Sequence, residues 1–179
     1  MEPDRRIRLA TPEDATACLA IYTPYVHDTV ITFETEVPSE ATMTARIESA
    51  LAHHSWLVLE EGDAIVGYAY AHAFAERAAY GWSCESSIYL ASNLRRTGAG
   101  RALYTDLFER LDGLGYRRVF AGVTLPNEPS LGIHLSFGFE RVGTFERVGW
   151  KHGAWHDVAW LQRDLGAGDP NSPPTRTAG

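Results

Sequence analysis

The densest chemistry in the chain lies at Arg95-Arg96-Thr97-Gly98-Ala99-Gly100, with Arg101 directly after it. Small residues let a backbone approach an anion closely, and the unpaired N–H groups of a helix's first turn point at it, so this stretch can cradle a pyrophosphate. Arg95, Arg96 and Arg101 add the local positive charge that a CoA or nucleotide ligand needs. The same residues also read as a glycine-rich strand-to-helix turn with solvated arginines. A Walker loop is excluded because no Lys-Ser/Thr pair follows, and a dinucleotide fingerprint because the GxGxxG spacing is absent. Elsewhere, Glu85 is either a proton acceptor or a solvated strand-end carboxylate. His134, four residues after Ser130 and near Asn127, is either a titrating imidazole or a helix-surface side chain. Arg77 can grip a carboxylate with its planar fork, and Tyr80 and Trp82 offer flat apolar walls with polar tips. Taken alone, the cluster of Phe74, Tyr80 and Trp82 also reads as ordinary core. Cys84 reads as a small core residue, and His53, His54 and His72 stand in no motif.

The elements that must position these groups follow from periodicity. Residues 7–10 read as a short strand, and Thr11-Pro12-Glu13-Asp14 opens a helix with a capping threonine and a proline in the first turn. Ala15, Cys18, Leu19, Ile21 and Tyr22 form its apolar stripe, which ends near Tyr25. Ser39 caps a second helix carrying Met43, Ile47, Ala50 and Leu51. A hairpin follows at 56–59 and 65–73 around Glu61-Gly62-Asp63, and then a strand at 83–90. Leu103, Leu107, Leu111 and Leu114 mark a long helix from Arg101 that Gly115 terminates. A strand at 119–124, a short helix at 129–137 and strands at 141–146 and 154–165 complete the order. This alternation implies an α/β chain with a mixed sheet covered by helices on both faces, not an all-parallel doubly wound sheet.

The 179 residues suffice for one domain of ordinary size, read as 1–165, with a polar tail at 166–179 that has almost no apolar side chains and reads as flexible. A composition of 45% hydrophobic and 22% charged residues supports a core without metal or disulfide staples. The net charge of −7 argues against a nucleic-acid partner. Two cysteines outside any CxxC pair, with no signal peptide or membrane span, fit a reducing, cytoplasmic setting.

Arg95-x-x-Gly98-x-Gly100, preceded by Ser87-Ile88-Tyr89-Leu90, resembles the acetyl-CoA pyrophosphate motif and central strand of the GNAT N-acetyltransferases. Leu125-Pro126-Asn127-Glu128-Pro129-Ser130 and Trp150-Lys151-His152-Gly153-Ala154-Trp155-His156-Asp157 resemble signatures of the phosphinothricin and methionine sulfoximine N-acetyltransferase branch. The likeness covers roughly residues 7–165 and implies the GNAT fold, a mostly antiparallel mixed sheet between helices. It also implies acetyl-CoA as co-substrate, no metal, a small amine acceptor and a homodimer.

The resemblance assigns roles in turn. Glu85 is the base that deprotonates the acceptor amine, and His134 is an acid for the CoA thiolate or an aid to Glu85. The backbone of Ile88, Tyr89 and Leu90 pairs with pantetheine, residues Arg95 to Arg101 (Arg95, Arg96, Thr97, Gly98, Ala99, Gly100 and Arg101) hold the pyrophosphate, and Asn127 and Ser130 bind near the pantetheine arm. Phe33, Arg77, Tyr80 and Trp82 shape the acceptor pocket, with residues 151–156 of a second subunit. Phosphinothricin-specific members carry Arg at the place of Glu34 and Lys near Ala75, so their absence favours a neutral sulfoximine or sulfone of methionine. Other amine acceptors, such as an aminoglycoside, a polyamine or a protein N-terminus, and a non-catalytic CoA-binding regulator remain the alternative readings.

Overall fold

The computed structural model describes residues 4–94, 97–169 and 171–174. After strand β1 (Arg5–Leu9), Thr11 starts a single 3-10 turn, and its amide donates to Asp14 Oδ2 at 2.8 Å. Helix α1 (Ala15–Asp28) then buries Ala15, Cys18, Ile21, Tyr22 and Val26. It runs beyond the expected stop near Tyr25, straight through Pro24, and ends where the Thr29 hydroxyl donates to the Tyr25 carbonyl. Helix α2 (Glu40–His53) begins as its sequence demands, with Ser39 Oγ accepting from the Thr42 amide at 3.1 Å.

Strands β2 (Ser55–Glu61), β3 (Ala64–Ala73) and β4 (Ser83–Leu90) form an antiparallel run with β1 at its edge. Helix α3 (Ala99–Gly113), strand β5 (Arg118–Thr124), helix α4 (Glu128–Ser136), and strands β6 (Glu140–Lys151) and β7 (Ala154–Asp164) follow. The seven strands make one sheet ordered β1-β2-β3-β4-β5-β7-β6, antiparallel throughout except for the β4/β5 pair. This is the mixed, mostly antiparallel α/β architecture read from the sequence.

Strand alternation sorts the two layers. Trp56, Val58 and Tyr68 pack under α1 and α2, whereas Leu57, Leu59, Ala69, Ala71 and Cys84 pack under α3 with Leu103, Leu107 and Leu111. Those three leucines are fully buried, each worth about 1.5–3 kcal/mol of transfer free energy.

Strand β6 is longer than expected because a bulge interrupts its alternation. Its register slips between Phe145 and Gly149, and Arg147 takes a left-handed φ of 49° while its amide donates to Asp157 Oδ1 at 2.7 Å. Beyond β7, Arg117 Nη2 donates to the Asp169 carbonyl at 2.6 Å and to Ser172 Oγ at 3.0 Å. Part of the segment after Leu165 is therefore held against the domain.

Candidate active site

The parallel strands β4 and β5 pair only over Ser83–Arg118, Cys84–Val119 and Glu85–Phe120. Beyond that point β4 stays on β3 and β5 stays on β7, so the two strands part and leave an open V in the sheet. From the splayed end of β4 the chain goes on to α3, and from that of β5 to α4. Helix N-termini beyond the carboxyl ends of parallel strands are where an anionic ligand is best met.

Along one arm of the V, antiparallel pairing directs alternate residues of β4 away from β3. Leu90 is one of them, and its amide and carbonyl both meet the Tyr25 hydroxyl, at 3.3 and 2.7 Å. The backbone of Ile88 points the same way by alternation, and that of Tyr89 pairs with β3. The Tyr89 ring stacks edge-on against Tyr22 and Tyr25. Of the three residues expected to face pantetheine, Ile88 is thus the one aimed into the gap without a tyrosine on its backbone.

Arg95 and Arg96 lie outside the described residues. Thr97 is anchored by its hydroxyl to the Leu94 carbonyl at 2.8 Å, and its own carbonyl accepts from Arg5 Nη1 at 2.9 Å. Gly98 is the N-cap of α3 at φ 80°, a conformation a side chain would strain. Ala99 is buried, and a Cβ on Gly100 would sit 3.1 Å from Ile133 Cδ1, so glycine lets α3 close against α4. Arg101 leans toward α4, its guanidinium 5.3 Å from the Phe137 ring centre. Helix α4 is capped by Asn127, whose Oδ1 accepts from the Ser130 amide at 3.2 Å.

Glu85 occupies the last paired position before the V opens, on the α1/α2 face of the sheet. Its side chain is 24% exposed, and burial raises its carboxyl above the usual range, opposed by nearby His72. A carboxylate so perturbed at the vertex of a cleft is suited to accepting a proton from an ammonium group.

His134 is not on the helix surface. It is 3% exposed, in the other layer, with Nδ1 donating to the Ser130 carbonyl at 2.7 Å and Nε2 3.1 Å from the Tyr104 hydroxyl. Because a carbonyl can only accept, Nδ1 carries the hydrogen and Nε2 accepts from Tyr104. Burial lowers the imidazole's pKa, which favours this neutral form. Both nitrogens are used within the protein, and the sheet lies between His134 and Glu85, so the two are not brought together.

Of the residues expected to shape an acceptor pocket, Phe33 and Tyr80 lie in the same layer as Glu85. Thr32 is held from two directions, by the Tyr22 hydroxyl on its Oγ1 at 2.6 Å and by Lys151 Nζ donating to its carbonyl at 2.8 Å. Phe33 packs against Gly149, where its ring leaves no room for a Cβ, and lies near His156. Glu34 is paired with Arg46 at 2.7 Å. Tyr80 meets Phe74 edge-on, and the Phe74 ring stacks on Phe120 beside Glu85. Trp82 is half-buried, its carbonyl receiving the Arg117 amide at 2.8 Å, and Arg77 is exposed in the β3–β4 connection.

Three contributors escaped the sequence reading. Tyr104 gave no signal beyond its place on an apolar stripe. Lys151 was expected only as a residue donated by a second subunit, yet it clamps Thr32 of its own chain. His72, without a motif, sits directly opposite Glu85, and counting outward along two strands from the Arg77–Tyr80 connection would have paired them.

A family model for the acetyltransferase (GNAT) domain matches residues 7–160. A phosphinothricin N-acetyltransferase of Streptomyces viridochromogenes is 36% identical over 97% of this chain and 96% of its own. An L-methionine sulfoximine/L-methionine sulfone acetyltransferase of Pseudomonas paraeruginosa is 30% identical over 96% and 97%. Among solved structures, a GNAT superfamily phosphinothricin acetyltransferase from Sinorhizobium meliloti, in complex with AcCoA, superposes with a TM-score of 0.91 at 36% identity, covering 97% of this chain and 95% of the other. With the splayed parallel strands, the αL glycine at the head of α3 and the carboxylate at the vertex, these matches place the chain in the GNAT acetyltransferase family, as an N-acetyltransferase that uses acetyl-CoA.

Proposed function

We propose that the enzyme acetylates the α-amine of a small amino-acid analogue by direct transfer within a ternary complex, as a detoxifying activity. The observation that carries this reading is Glu85, desolvated at the vertex of the V, in the layer that also holds Phe33, Phe74 and Tyr80. Acetyl-CoA lies along the V with its pyrophosphate at the turn into α3, held by residues 95–101, and its pantetheine arm beside Ile88, Asn127 and Ser130. When bound, it supplies the thioester carbonyl that the amine attacks. Glu85 removes a proton from the ammonium, Arg77 receives the carboxylate, and Phe33, Tyr80 and Trp82 flank the side chain. His134 acts by holding Tyr104, since neither of its nitrogens is free for a thiolate.

Methionine sulfoximine and sulfone are the preferred acceptors. Glu34 is a carboxylate paired to Arg46, and position 75 is alanine, so two cations that suit a phosphinate are missing from this side. The overall identity to phosphinothricin N-acetyltransferases favours phosphinothricin itself as a second reading. Ranking kcat/KM for methionine sulfoximine, methionine sulfone, phosphinothricin, spermidine and an N-terminal alanine peptide decides between them. A peptide or polyamine at the head of that order overturns the proposal.

A homodimer is also proposed. Trp150 and Trp155, cross-strand partners on β6 and β7 whose rings meet edge-on, are each more than half exposed and offer an apolar patch suited to a second copy. No described helix is long and apolar enough to cross a membrane, and the cysteine usage supports a cytoplasmic location.

A further inference from the structure

One more titratable group faces Glu85. Strands β3 and β4 pair His72 directly with Glu85, which puts both side chains on the same face of the sheet. His72 Nε2 is 4.0 Å from Glu85 Oε2. On the other side of the ring, Nδ1 lies 3.0 Å from the Ala73 carbonyl. That oxygen can only accept, so Nδ1 carries the hydrogen and Nε2 turns its lone pair to the carboxylate. The separation exceeds a hydrogen bond, and catalytic contacts commonly tighten only when ligand binds.

Among the described residues, few charged groups compete with this pair. Tyr70, on β3 with its ring 6.0 Å from His72, is pushed up to about 12 by burial and stays neutral. Tyr104, from α3, is raised by burial as well, and the residue opposite Glu85 on β5 is the apolar Phe120. Arg46 of α2 is engaged with Glu34. Access is graded too: the Glu85 side chain is 24% exposed and that of His72 is 46% exposed, so the ring is the more open of the two to solvent.

Acetyl transfer to an alkylammonium needs such an outlet. One proton leaves the nitrogen before its lone pair can form the C–N bond. When the tetrahedral centre collapses, the C–S bond breaks, the CoA thiolate departs, and the nitrogen sheds a second proton that neutralises the thiolate. The first proton, taken by Glu85, has to leave before the next turnover. We propose that His72 is the positioning residue that accepts this proton from Glu85 at Nε2 and passes it to solvent, which resets the carboxylate. This rests on the reading of Glu85 as the base.

The test measures His72→Ala and Glu85→Gln side by side, at saturating acetyl-CoA in dilute buffer, with and without added imidazole, across the pH range of activity. In His72→Ala, kcat falls about tenfold, the KM for acetyl-CoA is unchanged, and imidazole restores most of the loss. The acid limb of kcat/KM moves to higher pH, because the ring, once it has taken up a proton, favours the charged form of Glu85 and the variant lacks it. Full activity in His72→Ala beside an inactive Glu85→Gln overturns the role of His72 alone. Full activity in Glu85→Gln overturns the base and the relay together. A loss in His72→Ala that imidazole does not repair, with an unmoved pH profile, marks a structural role and also overturns the proposal. His72 is half exposed, and His72→Gln, which keeps bulk without a titrating nitrogen, carries the same pH test if the alanine variant misfolds.

Discussion

Gly149→Ala adds one methyl group at the junction of the acceptor side and the β6–β7 hairpin. The added Cβ would stand 2.2, 2.3 and 2.7 Å from three Phe33 ring atoms, where carbon contacts settle at about 3.5 Å or more. The ring must retreat by about 1 Å or more. Gly149 has an ordinary φ, so no backbone strain adds to this clash. Phe33 is 37% exposed and can swing outward, which puts the stability cost at the low end of overpacking, about 1 kcal/mol. For a chain of this size that is a fall in Tm of about 2–4 °C. The kinetic effect is larger if the displaced ring walls the acceptor pocket as proposed: the acceptor KM rises about tenfold, the loss of about 1.4 kcal/mol of aromatic contact. The KM for acetyl-CoA stays constant, since the place proposed for that ligand, along the V, does not include Phe33. Thiol-release kinetics with each substrate varied in turn, and a thermal melt, measure all three quantities. An unchanged acceptor KM together with the expected drop in Tm refutes Phe33 as an acceptor contact, and a raised acetyl-CoA KM refutes the division of the site into two sides.

Gly98→Ala forces a side chain into φ 80° with open space around it, a cost of about 1–2 kcal/mol that distorts the head of α3; the KM for acetyl-CoA should rise with little change for the acceptor. Glu85→Gln should lower kcat by about 10²–10⁴ at neutral pH, checked in the same thiol-release assay. His134 has its pKa lowered in the fold, so below its unfolded value of about 6.5 the unfolded chain binds a proton that the folded chain refuses. Stability should therefore fall as pH drops through that value, and urea titrations of His134→Gln, although less stable overall, should show a flatter dependence there. Replacing Trp150 and Trp155 together by serine should shift sedimentation of the chain from dimer to monomer.

What the sequence revealed depended on whether the signal was local. Strand β4 shows its own bounds at Ser83 and Leu90, and Ser39 marks the start of α2, because alternation and capping are read within a few residues. Helix α3 starts at Ala99, before the expected Arg101, since Ala99-Gly100 carries no apolar period although Gly98 turns the chain. The bulge at Arg147 hid the second half of β6, because a left-handed residue breaks the period of two. Within the candidate site, the turn at Gly98 and the cap at Asn127 could be read from local sequence, whereas Glu85 stood out only through the family resemblance. The Lys151–Thr32 clamp spans 119 residues, and the His72–Glu85 pair depends on strand register. His134 was legible as an important residue but not as a buried one, because its surroundings, Tyr104 and Phe139, come from α3 and from the residue just ahead of β6.

The central claim, direct transfer of acetyl from CoA to an amino-acid α-nitrogen, is tested most directly by mixing the enzyme with stoichiometric acetyl-CoA, with and without methionine sulfoximine, and weighing all species after a rapid quench. The account predicts free CoA only when the acceptor is present, with the acetyl group on the acceptor's α-nitrogen and the protein mass unchanged. CoA released without acceptor, or an acetylated protein formed ahead of the product, would contradict it.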